Sequence, residues 1–271
     1  MINRRSFITK SAALAAGAVV TPSILGESLL QTGKSPLAGK KVLFVWGGWM
    51  GHEPDKCRDI FVPWLESEGA SVLVSDTLDV YTEHKLEEEF DLIIQAWTQG
   101  TLGRSQERAL LSAIKAGVGI AGWHGGLGDS FRNNVEYQFM VGGQWVAHPG
   151  GVIDYHVDIV DHKDPVTAGL TDFDMHSEQY YMLVDPNVKV LATTTYTDKI
   201  YDWIGGNIIP VVWKKAYGKG RVFYSSLGHV AADFKVPQAL EITKRGIRWA
   251  SLSKYEPMEE WHQPAYKNWN G

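Results

Sequence analysis

Val118-Gly119-Ile120-Ala121-Gly122-Trp123-His124-Gly125-Gly126 is the stretch on which the fold turns. A short apolar run ends in glycine, and Gly122 and Gly126 bracket His124 as the glycines of a nucleophile elbow bracket its central residue. Such a turn joins a buried strand to a helix and lifts one side chain above the sheet, because glycine tolerates the close backbone approach. Here the lifted residue is His124.

Working outward, Val42-Leu43-Phe44-Val45-Trp46 is a second apolar run stopped by Gly47-Gly48 and followed by a helical pattern from Asp55 to Glu68. Ser71 to Ser75 and Leu92 to Ala96 read as further strands, and Ser105 to Ala116 reads as a helix before the run at Val118. This alternation predicts right-handed crossovers and a three-layer α/β domain, flavodoxin-like, with a parallel sheet between helices. Val42–Trp46 and Val118–Trp123 should lie in one sheet with their carboxyl ends on one crevice. Beyond His124, Val135 to Val141 reads as helix and Val152 to Val160 as strand. Pro210 to Ala216 and Arg221 to Ser225 flank Tyr217-Gly218-Lys219-Gly220 as an added β-hairpin. Pro237 to Ser251 is the closing helix, and Tyr255 to Gly271 is expected to wrap the surface.

At the other end, Asn3-Arg4-Arg5-Ser6-Phe7-Ile8-Thr9-Lys10 precedes the small apolar run Ser11 to Val20, the pattern of a twin-arginine export signal. Residues 1–35 are therefore read as signal and linker, 36–254 as the globular body and 255–271 as a tail. The body is expected in the periplasm, with no membrane span.

Composition narrows the partners. Of 271 residues 44% are hydrophobic and 21% charged, enough apolar surface for a core, and the net charge of −5 supplies no basic field for nucleic acid. Cys57 is the single cysteine, so neither an intramolecular disulfide nor a thiolate metal cluster can form within one chain. Eleven Trp and eleven Tyr offer flat rings with polar edges, suited to sugar faces as well as to core packing.

His52, His124, His148 and His229 each occupy a glycine-bounded loop. One loop histidine is usually a hydrogen-bonding strut; four suggest a shared site. Neither Ser nor Cys stands at the elbow, and Cys57 falls in the first helix, so acyl-enzyme chemistry and glutamine amidotransferase activity are disfavoured.

The elbow at His124, the loop from Gly142-Gly143 to His148-Pro149 and the stretch Ser177-Glu178-Gln179-Tyr180-Tyr181 occur in the order seen in ThuA-like proteins. So do Tyr217 to Tyr224 leading to Leu227-Gly228-His229, and the closing Arg245-Gly246-Ile247-Arg248-Trp249-Ala250. Over roughly Lys41 to Ser251 the chain resembles that trehalose-utilisation family, departing where Ser177 replaces the Asp many relatives carry before Glu178. The resemblance implies a fold like that of class I glutamine amidotransferases and a role in utilisation of trehalose or related keto-disaccharides.

Three readings of function compete. In the first, a metal-assisted hydrolase or lyase binds a divalent metal such as Zn²⁺ through His124, His148, Glu178 and His229, with His52 as a further ligand or an acid/base. His124, His52 and Asp129 are the catalytic candidates, with Glu53 ranked lower; Asp129 could instead cap the helix after the elbow, and Glu178 could be an exposed strand carboxylate. In the second, a non-catalytic carbohydrate-binding protein stacks a small-molecule sugar on Trp49, Trp123, Trp145 and Tyr180. In the third, a metal-free hydrolase uses His124 as base. A homo-oligomer is compatible with any of them.

Overall fold

A computed structural model describes residues 33–257. The chain runs β1 (Lys41–Gly48), α1 (Pro54–Ser67), β2 (Ser71–Ser75), α2 (Val80–Glu83), α3 (Leu86–Glu89), β3 (Leu92–Thr98), α4 (Arg104–Ala116), β4 (Gly119–Trp123) and α5 (Gly125–Gly128). It continues through α6 (Val135–Val141), β5 (Gly143–Ala147), β6 (Val152–Ile159), β7 (Phe173–Glu178), β8 (Tyr181–Val184), β9 (Lys189–Thr195), β10 (Ile208–Tyr217), β11 (Gly220–Ser225) and α7 (Pro237–Ser251).

Nine strands form one sheet in the order β2-β1-β3-β4-β11-β10-β9-β6-β7, while β5 and β8 pair separately. β2, β1, β3, β4 and β11 are parallel, so β1 and β4 share the sheet as expected. The hairpin is built into that sheet: β11 is the fifth parallel strand, and β10 begins an antiparallel extension through β9, β6 and β7.

Alternation along β1 fixes the layers. Val42 and Phe44 face Phe61 and Leu65 of α1 and Ile242 and Ile247 of α7. Leu43 and Val45 face Leu110 and Ile114 of α4 and Met140 of α6. A parallel strand covered on both sides needs an unbroken apolar run, which is why these strands were legible without a polar alternation.

The extension curls. β7 stands four strands from β11, about 19 Å in a flat sheet, yet Ser177 Oγ on β7 donates to Asp233 Oδ2 at 2.6 Å in the turn after β11. Curling is eased between β6 and β9, which pair at two positions, Asp158 with Thr193 and Ile159 with Ala192. Among the described residues no helix is long and apolar enough to cross a membrane. The export segment and nearly all of the tail, residues 258–271, lie outside the described residues.

Candidate metal centre

Three loops leave the carboxyl ends of parallel strands and deliver one imidazole each: His52 after β1, His124 after β4 and His229 after β11. That crevice is where an open parallel sheet gathers loops and ligands. The curled extension brings the fourth group, Glu178, the last residue of β7.

His124 sits at φ 48°, ψ −129°, a conformation a non-glycine residue holds only when its surroundings fix it. Gly122 and Gly126 allow the turn. A Cβ on Gly122 would meet Leu127 Cγ at 2.5 Å, and one on Gly126 would meet Ala96 Cα at 2.8 Å. His124 Nδ1 donates to the Ser226 carbonyl at 2.8 Å, which leaves the Nε2 lone pair aimed at Glu178 Oε2, 3.1 Å away. The same oxygen lies 3.3 Å from His229 Nδ1 and 3.8 Å from His52 Nε2. One ligand atom from each of the four residues lies within 4.8 Å of every other.

This arrangement is short of positive charge. Burial, with the ring only 1% exposed, outweighs the Glu178 contact and pushes the His124 pKa down to about 3, so the imidazole is neutral at neutral pH. Burial also opposes charge on Glu178, but contacts with His124, His229 and His52 outweigh it and hold the carboxyl well below its ordinary range. Those contacts help the carboxylate only if hydrogens point at it. His124, whose hydrogen is committed to Ser226, has none to offer. A neutral imidazole facing an ionised carboxylate is the combination the geometry favours, and it needs a cation between them. His229 Nδ1 is likewise buried without a hydrogen-bond partner. Four donors held about 2.0–2.2 Å from one Zn²⁺-like ion in a tetrahedron would be spaced by about 3.3–3.6 Å. The spacings of 3.1, 3.3 and 3.8 Å around Oε2 bracket that range and the remaining pairs lie within 4.8 Å, so the donor set could hold a metal ion.

Second contacts orient the donors. His52 Nδ1 pairs with Thr98 Oγ1 at 2.8 Å, and its ring packs over Gly125, where a Cβ would come within 2.5 Å of it. Tyr180 stacks on His124 with centroids 3.8 Å apart. Besides accepting from Ser177, Asp233 Oδ2 accepts from the His229 backbone N–H at 2.9 Å, so one carboxylate ties the neighbour of Glu178 to His229. Thr98, Ser226 and Asp233 were not among the expected site residues.

The expected positions divide. His124, Glu178 and His229 converge, and His52 completes the set in place of His148. His148 stands at the rim with its side chain 38% exposed and Nε2 3.8 Å from the other Glu178 oxygen, Oε1. Asp129 does not face the cluster as an acid/base and does not cap a helix start; it follows α5 and its carboxylate is a fork for Arg132. Glu53 is held by Lys56 and by the Ala231 backbone N–H. Trp123 is no stacking surface: it is 3% exposed and packed against Phe61, Phe234 and Phe44. Tyr180 is buried under its stack with His124, whereas Trp49, 47% exposed beside His52, is the open ring at the lip.

The depressed His124 pKa gives a pH dependence. Its folded value near 3 lies below the about 6.5 of an unfolded histidine, so its contribution is complete above pH 6.5 and is lost as pH falls through that value toward 3. Metal-stripped protein should lose stability from pH 6.5 downward, approaching about 1.4 kcal/mol per pH unit from this group. His124→Asn, which tolerates positive φ but does not titrate, should flatten the slope of the urea midpoint between pH 6.5 and 5; identical slopes would refute the assignment.

A family model described as ThuA: Trehalose utilisation matches residues 41–250. A putative ThuA-like protein from Bacteroides uniformis superposes with a TM-score of 0.64 at 16% identity, over 80% of this chain and 92% of that one. Another from Parabacteroides merdae gives 0.63 at 17% identity, over 82% and 94%. A cytoplasmic protein from Salmonella typhimurium gives 0.51 at 14% identity, over 80% and 100%. These structural likenesses concern the fold. None of the curated proteins matches the sequence.

Proposed function

The chain belongs to the ThuA family of trehalose utilisation, and from that premise we propose that it is a metal-assisted hydrolase or lyase acting on a trehalose-derived sugar, a keto-disaccharide above all. The observation that carries this reading is the single Glu178 oxygen with three imidazole nitrogens within 3.8 Å, one of them a lone pair fixed in place by the Ser226 carbonyl.

His52, His124, Glu178 and His229 would hold the ion, and Zn²⁺ suits three neutral imidazoles and one carboxylate. Bound there, it would supply Lewis acidity toward a carbonyl or hydroxyl oxygen of the sugar. His124 is sealed from substrate and acts as ligand rather than as base. His148 is the group placed to move a proton, exposed at the rim and next to the outer oxygen of Glu178. Trp49 offers a ring face to the sugar at the open side. The proposal extends to periplasmic residence, on the strength of Arg4-Arg5 and the apolar run behind them.

Elemental analysis of purified protein is expected to find one divalent ion per chain. Chelation should abolish turnover of keto-trehalose, and Zn²⁺ or another divalent ion should restore it. Turnover unchanged by complete metal removal would overturn the metal-assisted reading. Trehalose binding without turnover of either sugar by the loaded protein would leave a carbohydrate-binding protein.

A further inference from the structure

Arg132 is 43% exposed by side chain, and its guanidinium is fully oriented. Nε donates to Asp129 Oδ1 at 2.5 Å and one Nη2 hydrogen donates to Oδ2 at 2.8 Å, a bidentate fork on a buried carboxylate. Its Cζ lies 4.5 Å from the centroid of Trp145, so an aromatic face holds the plane from the side. Trp145 in turn lies 5.7 Å from His148 and 6.1 Å from Tyr180, the ring stacked on His124. An unbroken row of rings thus leads from the metal centre to this guanidinium.

Asp129 uses two of the five N–H groups of Arg132, leaving three to donate outward. It also cancels the charge. A neutralised guanidinium has little net attraction for an anion, but its planar donors still match two adjacent oxygens of a sugar. A flexible ammonium would not hold that plane.

We propose that Arg132 is the specificity residue of the site, donating to neighbouring hydroxyl or keto oxygens of an uncharged sugar ring, with Asp129 as the positioning residue that fixes the fork and screens out acidic sugars. The proposal rests on the carbohydrate half of the proposed function, not on its metal.

Calorimetry with trehalose, methyl glucoside and methyl glucuronide tests it on the full chain. Arg132→Gln and Arg132→Lys should each weaken trehalose binding by at least tenfold with metal content unchanged. Arg132→Gln also leaves the buried Asp129 carboxylate unpaired and lowers the unfolding midpoint, whereas Arg132→Lys keeps a cation beside it and should unfold near wild type. Asp129→Asn frees the positive charge and should move the glucuronide-to-glucoside affinity ratio at least tenfold toward the acid, which loss of a purely structural ion pair would not do. Wild-type trehalose affinity in Arg132→Gln, an unmoved ratio in a folded Asp129→Asn, or wild-type protein that binds neither trehalose nor methyl glucoside would overturn it. Protein that holds no metal yet binds trehalose in an Arg132-dependent way would sink the metal reading and leave this one standing.

Discussion

Glu178→Gln should lower divalent-metal affinity by at least about 100-fold and turnover of keto-trehalose by about 10³-fold or more, while making the metal-free protein more stable. Loss of an outer contact to a ligand typically costs about 10–100-fold in metal affinity, and Glu178 is expected to be a ligand itself. The opposite sign for stability follows from the local chemistry. Without an ion, Glu178 Oε2 faces the His124 Nε2 lone pair at 3.1 Å and the unpartnered His229 Nδ1 at 3.3 Å. An amide of the same shape removes the buried charge and can donate an N–H to His124, a gain of about 1 kcal/mol. Metal titration and urea unfolding of stripped protein read the two effects separately. A variant that binds metal normally, or one destabilised by several kcal/mol when stripped, would show that Glu178 serves the fold rather than an ion.

The largest loss of stability is expected from Trp123→Ala, about 3–5 kcal/mol, which is a large part of the roughly 5–15 kcal/mol that holds a domain folded. The ring lies 4.6 Å from Phe61, 5.6 Å from Phe234 and 6.3 Å from Phe44 by centroid, and its Cδ1 would be 3.0 Å from a Cβ on Gly228. Its removal opens a cavity beneath the loops of both His124 and His229. Trp123→Phe should recover most of the stability and leave sugar affinity unchanged. A denaturant midpoint close to wild type in Trp123→Ala, or a sugar-binding defect in Trp123→Phe, would return the ring to the binding surface where its residue type first suggested it.

That misreading shows where sequence stops informing. β1, β4, α1, α4 and α7 carried short unbroken apolar runs ending in glycine or clear helical periodicity, and their existence and type could be read directly. β5, β8 and β9 are short or half polar, so their pattern hardly differs from loop. The crevice at the carboxyl ends of β1 and β4 followed from topology alone. Which histidines meet there did not: His52 joins the cluster because Gly125 has no side chain to displace its ring, whereas His148 arrives from a loop that stops at the rim. Glu178 was marked by family resemblance, since nothing in a strand ending Ser177-Glu178 announces that the sheet curls to carry it across. Arg132 left no comparable signal, because its pairing with Asp129 is made in a turn beyond α5 and not on a helix face.

The short pairing between β6 and β9 has a mechanical consequence. The β6–β7 hairpin pairs with β9 at two positions, is tied by Thr194 Oγ1 to the His156 carbonyl and by Ser177 to Asp233, and buries Tyr155, Val157, Phe173 and Met175 in the main core. A segment held by core packing in this way is expected to open with the domain and not ahead of it. Three of the four clustered groups belong to the other side of that pairing, so the fourth arrives with the hairpin. Glu178 is therefore held against the three imidazoles by core packing more than by strand pairing, and amide exchange along β7 should be as slow as along β4.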